Sequence, residues 1–317
     1  MLYSYINNTN LKASKLILGT DRFGSAISEE ESFEILDYFI NAGGNILDTA
    51  SFYANWLDMG ESLSEKTIGK WVEARNNRDK VIISTKGGHF NHITLEPRVT
   101  LECVRDDFNK SLENLRTDYI DIYWLHKDDT NQSPEAIIEM LNKVANNKHS
   151  KYFGVSNWSY DRIKKANDHA KKNGLRPIIA TQIQHSIAKV NNVADGIFVM
   201  TDDEYKKYEK DDLNVFGFSS QAKGFFAIMA DAGEDKLPQS TKDEFYNERN
   251  LAILERIKEF SKNKCVGVPA VVLAALISDT KINTFAQIGP QNVNELKASL
   301  TAMEFEITPE ERAELLK

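Results

Sequence analysis

A single closed (β/α)8 barrel, an α/β fold occupying 1–317 as one domain, is predicted by three observations. Eight short apolar or β-branched runs alternate with longer amphipathic stretches, the pattern of parallel strands each followed by a crossover helix. No Gly/Ser-rich or Pro-rich linker divides the chain, and no internal period of about 20 to 50 residues repeats. Three successive strand runs each end in an ionisable residue, at the strand ends where barrel enzymes keep their chemistry.

Taken in order, the strands are expected near 15–19, 45–48, 81–85, 119–125, 151–155, 179–183, 213–217 and 284–288. Helices are expected at 30–41, 62–75, 99–115, 134–147, 158–173, 250–264 and 291–301. In 99–115, Leu101, Val104, Phe108, Leu112 and Leu115 recur every three or four residues, which makes one buried stripe. Ser133-Pro134 has the form of an N-cap followed by a first-turn proline, and Gly174 stands where the fifth helix should stop. Before Lys15 a small hairpin is expected to cap the barrel bottom, turning at Asn7-Asn8-Thr9-Asn10. Two stretches exceed what a barrel needs. Ala188 to Lys210 carries Asp202-Asp203-Glu204 and Lys206-Lys207, read as the solvated face of a helix. Ile228 to Arg249 is read as a long polar loop at the C-terminal face, either a lid or a surface excursion.

Composition narrows the function classes. A net charge of −8 and a pI near 5.4 argue against nucleic acid and anionic membrane as partners, which require a concentrated basic face. Mean hydropathy is −0.44, and no apolar run approaches membrane-spanning length. The first residues lack the basic flank and apolar core of a signal peptide. Cys103 and Cys265 lie far apart without metal or redox spacing, so they are expected to be reduced thiols of a cytoplasmic protein.

The run Ile46-Leu47 ends in Asp48, and Tyr53 follows five positions later; Val81 to Thr85 leads into Lys86, and Tyr119 to Leu125 into His126. If these four meet at one mouth, an ammonium about 4 Å from the phenol would favour phenolate by roughly 4 kcal/mol at an effective dielectric near 20, before desolvation is subtracted. That would draw the phenol toward neutrality and make it a general acid. Asp48 would keep the ammonium charged, and His126 would orient a carbonyl oxygen. The set suits protonating an oxygen while hydride reaches the attached carbon. With no serine elbow in the chain, the hydride must come from a cofactor.

These residues also carry a family resemblance. Gly44-Asn45-Ile46-Leu47-Asp48-Thr49-Ala50, then Tyr53, Glu65 and Gly69, resembles the first signature of the aldo-keto reductases. Ser111 to Asp121, leading to His126, resembles the second, and the match runs from about Leu16 to Leu300. The resemblance implies a tetrad of Asp48, Tyr53 as proton donor, Lys86 and His126. It also implies a nicotinamide dinucleotide bound without a Gly-rich turn, at Thr20, Asp48, Ser156, Asn157 and Gln182. Phe218 stands where the family has a tyrosine stacked on nicotinamide, and Phe keeps the π face. Ser219, Gln221 and Lys223 resemble the loop crossing the pyrophosphate. At the adenosine end the match includes Gly289, Gln291, Glu295 and Ser299, but Glu295 replaces an arginine that often clamps the 2′-phosphate. NADP(H) is favoured because the family favours it, with NAD(H) as the other candidate.

The implied activity is reduction of an aldehyde or ketone, or the reverse, on a small carbonyl or sugar-like substrate. Trp56, His89, Trp124 and Trp158, with Phe90 or His185, are expected around the substrate. Oligomeric state, natural substrate and direction are not set by the sequence. Two other classes compete. A cofactor-binding barrel could serve as a redox sensor or regulatory subunit with little turnover. A metal-dependent hydrolase built on His126 and Asp48 would need clustered ligands, and histidines 89, 92, 126, 149, 169 and 185 supply no early-strand pair. No metal is expected.

Overall fold

The computed structural model describes residues 1–317 except 56, 58, 59, 92, 95 and 147. The chain opens with a hairpin, β1 (Tyr3–Tyr5) antiparallel to β2 (Lys12–Ser14), turning where Asn8 takes φ 62°. Eight parallel strands then close on themselves: β3 (Leu16–Gly19), β4 (Ile46–Asp48), β5 (Ile82–Gly87), β6 (Ile120–Leu125), β7 (Ser150–Ser156), β8 (Ile178–Gln184), β9 (Asn214–Phe218) and β10 (Thr284–Ile288). β10 pairs with both β9 and β3, so the ring leaves no edge. The hairpin plugs the N-terminal end: Ile6, Leu11 and Ala13 join the inner core, and the amide of Asn7 donates to Asn214 Oδ1 at 2.8 Å.

The alternation of strand side chains builds two layers inside the ring. The lower layer is apolar, with Ile46, Ile82, Ile122, Trp124, Ala180, Phe216 and Phe285 packed together. Two residues further along several of the same strands the sequence turns polar: Asp48 follows Ile46, Ser84 and Lys86 follow Ile82, Gln182 follows Ala180, and Gln287 follows Phe285. Register aligns Asp48 with Ser84 across β4 and β5, and Ser156 with Gln182 across β7 and β8. A polar ring therefore sits on an apolar floor.

The helices form the outer layer: α1 (Glu29–Asn41), α2 (Leu63–Arg75), α3 (Leu101–Asn114), α4 (Pro134–Val144), α5 (Tyr160–Asn173), α6 (Asp202–Tyr208), α7 (Phe225–Asp231), α8 (Gln239–Phe245), α9 (Glu248–Lys264), α10 (Val268–Ile277), α11 (Val293–Leu300) and α12 (Pro309–Leu315). The stripe on α3 packs as its spacing predicts. Ser133 caps α4 through the amide of Ala136, and Gly174 ends α5 at φ 65°. α4 stops three residues before its expected end, because Asn146 accepts from the amides of Lys148 and His149 and turns the chain. Gly69 has a packing reason: a side chain there would collide with the Asn114 carbonyl as α2 crosses the end of α3.

Two expectations need correction. The stretch 228–249 is not one long loop; α7, a 3-10 turn at Glu234–Lys236 and α8 occupy most of it, anchored by buried Phe226, Leu237 and Phe245. In α6, Glu204 is not solvated but buried, accepting from the first amide of α5 at Tyr160 (3.0 Å) and from Lys207. Among the described residues, no single helix is long and apolar enough to cross a membrane.

Candidate active site

At the C-terminal end of β4 the backbone carbonyl of Asp48 accepts from the amide and hydroxyl of Thr20, at 3.1 and 2.9 Å. This fixes the strand tip and turns the carboxylate into the polar ring. There it accepts four bonds: Ser84 (2.6 Å) and Gln182 (3.1 Å) on Oδ1, Lys86 (2.5 Å) and Gln287 (2.9 Å) on Oδ2. A fully buried carboxylate needs such company to stay ionised. Lys86, equally buried, spends its three protons on Asp48 Oδ2, on the Thr49 carbonyl at 2.8 Å and on the Tyr53 phenolic oxygen at 2.8 Å. The Tyr53 oxygen therefore accepts from Lys86 and keeps its own hydrogen to donate.

His126 follows β6, and its ring meets Tyr53 edge-on at a centroid separation of 5.9 Å. His89 approaches His126 at 4.8 Å and stacks on Phe52 at 3.8 Å. Burial first, then the nearby Lys86 charge, hold the His126 imidazole well below its ordinary pKa, so it is neutral. Its Nδ1 is buried without a partner among the described residues.

The electrostatics correct one expectation. Burial, followed by the Asp48 charge, pushes the Tyr53 phenol well above its usual pKa instead of toward neutrality. Lys86 is itself pushed down, by burial, against the opposing pull of Asp48. The ammonium and carboxylate together are neutral, so the phenol gains little net positive field to offset desolvation.

The remaining predicted residues fall into groups. Ser156 donates to the Gln182 carbonyl at 3.0 Å and accepts from Asn157 Nδ2 at 3.0 Å, while Gln182 reaches Asp48; these three form one network with the Asp48 carboxylate. Asn157 sits at φ 62°, pinned by its Oδ1 accepting from the amide of Phe198. Phe218 ends β9, and Ser219, Ala222 and Lys223, all at φ 51°, with Gly224 at 81°, curl the next residues into a tight loop. Gln221 lies inside that loop, and Lys223 is ion-paired to Glu244 of α8. Past β10, Gly289 and Gln291 are exposed and Ser299 is buried on α11. Glu295 folds back on the N-terminus of α11, accepting from the amide of Gln291 (2.9 Å) and from Asn292 Nδ2 (3.3 Å).

These features fit a dinucleotide. Left-handed backbone of the kind at 219–224 forms concavities suited to phosphate oxygens, and the Gln287 side-chain carbonyl is buried with no partner in the chain.

Around the substrate position the structure revises the aromatic wall. Trp56 lies outside the described residues. Trp124 is sealed inside the barrel floor edge-on to Phe216, because residue 124 points inward one layer below the polar ring. Trp158 is likewise fully buried, under the guanidinium of Arg162. His185 is buried behind β9. Of the expected set His89 and Phe90 are left, and Phe52, which the sequence reading did not single out, stacks on His89. Ser84 and Gln287 were also missed. The available signal was a polar residue at an inward position of an otherwise apolar strand. Among the described residues no three His, Cys, Asp or Glu side chains gather as metal ligands.

An eight-stranded barrel carrying an acid, a lysine, a phenol and an imidazole at consecutive strand ends defines a class of oxidoreductase. The chain belongs to the aldo/keto reductase family, whose family model matches residues 15–317. It is similar to norsolorinic acid reductase stcV of Emericella nidulans, 27% identical over 96% of this chain and 78% of the relative. It is also similar to aryl-alcohol dehydrogenase [NADP(+)] of Phanerodontia chrysosporium, 34% identical over 48% of this chain and 41% of that one. The fold matches the crystal structure of a thermostable aldo-keto reductase, Tm1743, with a TM-score of 0.74, 20% identity and full coverage of both chains.

Proposed function

We propose that this oxidoreductase reduces an aldehyde or ketone to the alcohol, or runs the reverse, with Tyr53 as the general acid/base. A bound nicotinamide dinucleotide supplies the hydride that reaches the carbonyl carbon. The chain's own residues do the rest. The Tyr53 hydroxyl gives its proton to the substrate oxygen, and His126 Nε2 donates to the same oxygen and sets its angle. Lys86 already donates to the phenolic oxygen, so it stabilises phenolate as that proton leaves. Asp48 keeps Lys86 charged despite burial. With the dinucleotide bound, Ser156, Asn157 and Gln182 would hold the nicotinamide carboxamide, Phe218 would offer its π face to the ring, and Ser219, Gln221 and Lys223 would take the pyrophosphate. The observation that carries this reading is the three-way anchoring of Lys86, which makes one connected path from carboxylate to ammonium to phenol.

For the dinucleotide we favour NADP(H), supported by the cofactor in the printed name of the Phanerodontia relative. Glu295 speaks for NAD(H), because its carboxylate already covers the α11 N-terminus. A cytoplasmic setting belongs to the same reading, supported by two free cysteines. Titrating the protein with NADPH and NADH while following tryptophan quenching, then adding an aldehyde and following loss of reduced-nicotinamide absorbance, tests it. Saturable binding with aldehyde-dependent oxidation supports the reading; binding without turnover favours a sensor, and absence of binding rejects both.

A further inference from the structure

Beside the tetrad lies a cavity of about 460 Å³ between the loops that follow β5, β6, β7 and β8. Its apolar wall includes Phe90, Val99 and Phe198; three cations face it, Arg98, Lys127 and Arg162, and one carboxylate, Asp128. Two of those cations are already matched. Arg98 is ion-paired with Asp107 at 2.8 Å, and Arg162 with Asp128 at 2.7 Å. Lys127 differs. Half-buried, it reaches the Gly196 carbonyl at 3.3 Å and stands 5.6 Å over the Phe90 ring. Among the described residues no carboxylate lies within ion-pairing distance of it.

The cavity adjoins the reacting centre by three routes. Lys127 follows His126 directly, and Phe90 follows His89, whose ring meets His126 at 4.8 Å. Asn157 lines the cavity and donates to Ser156. A half-buried ammonium without a counter-ion at the edge of an apolar cavity is costly unless an anion arrives to pair with it. With Arg98 and Arg162 matched by Asp107 and Asp128, Lys127 leaves the cavity one positive charge in excess, in a chain of net charge −8.

We infer that this cavity holds the substrate's own anionic group, a carboxylate on an apolar or aromatic body, with Lys127 as its counter-ion. The inference rests on the proposed carbonyl reduction and names its substrate class: carbonyl compounds that carry a negative charge away from the reacting carbon. Phe90 and Val99 take the apolar body, and Lys127 makes a charge-assisted hydrogen bond to the carboxylate.

The test compares 4-carboxybenzaldehyde with 4-methylbenzaldehyde, which have similar size and differ in charge. The wild-type protein should favour the charged aldehyde in kcat/KM by about tenfold to a hundredfold, the range of a hydrogen bond to a charged group. Lys127→Met should collapse that ratio toward one, Lys127→Arg should keep most of it, and rising salt should shrink it in wild type. An unchanged ratio in Lys127→Met overturns the inference. Calorimetric binding of 4-carboxybenzyl alcohol and 4-methylbenzyl alcohol to the NADP-saturated protein supplies a readout without turnover. If neither aldehyde is reduced, carbonyl reduction fails as the function, and the alcohols' relative affinities in wild type and Lys127→Met still decide the anion site.

Discussion

Lys86 donates to the phenolic oxygen of Tyr53 at 2.8 Å, and an ammonium has no acceptor, so the direction of that bond is fixed. The phenol hydrogen is therefore left for an acceptor other than Lys86, beside the His126 ring at 5.9 Å. Its high pKa keeps the proton on through the neutral range. Proton release is then tied to the moment an alkoxide-like oxygen forms, with Lys86 in position to receive the phenolate charge.

Gln287 shares Asp48 Oδ2 with Lys86. Gln287→Leu leaves the buried carboxylate with three donors instead of four, and should cost about 1–3 kcal/mol in denaturant unfolding. Turnover should fall by roughly tenfold as Lys86 loses its fixed position, with reduced-nucleotide affinity changing less. Stability and kcat both equal to wild type would show that the bond does not matter.

The barrel was legible because each strand is a short apolar run, and a barrel strand buried on both sides leaves that signature. The tetrad was legible because three of its members sit at strand tips in order. What the sequence hid has physical reasons. α10 is apolar on every face, with residues 270–277 all buried, so it lacks an amphipathic period. α7 and α8 are each only seven residues long, too short to show a helical period, and in α8 the anchor Phe245 follows six residues of mostly polar sequence. Trp124 reads as a pocket residue from its place beside His126, yet strand alternation puts it one layer down. Gln287 could have been found by the same alternation, being two residues beyond inward-facing Phe285.

His185 is buried with Nε2 unpartnered, and burial lowers its pKa to about 4. A depressed histidine pKa means that the unfolded chain takes up the proton first. The stability it contributes is present above the ordinary value near 6.5, and is lost as pH falls from there to about 4. Chemical denaturation across that window should show stability declining with pH, and His185→Gln should flatten part of the slope. Identical slopes in both proteins would contradict the assignment.

Glu295 accepts from the amide of Gln291 at the start of α11. Glu295→Arg removes a negative charge there and adds a positive one, so NADPH should bind roughly tenfold tighter while NADH changes by less than about threefold. Fluorescence titrations with both nucleotides check this. Equal changes would mean that the 2′ end is recognised elsewhere.

The central claim is that Tyr53 gives the proton, and the most direct measurement compares wild type with Tyr53→Phe in both nucleotide binding and aldehyde-dependent oxidation of NADPH or NADH. The account predicts nucleotide affinity within a few-fold of wild type and turnover lower by about a hundredfold or more, since only the proton donor is removed. Turnover that survives the substitution would contradict it.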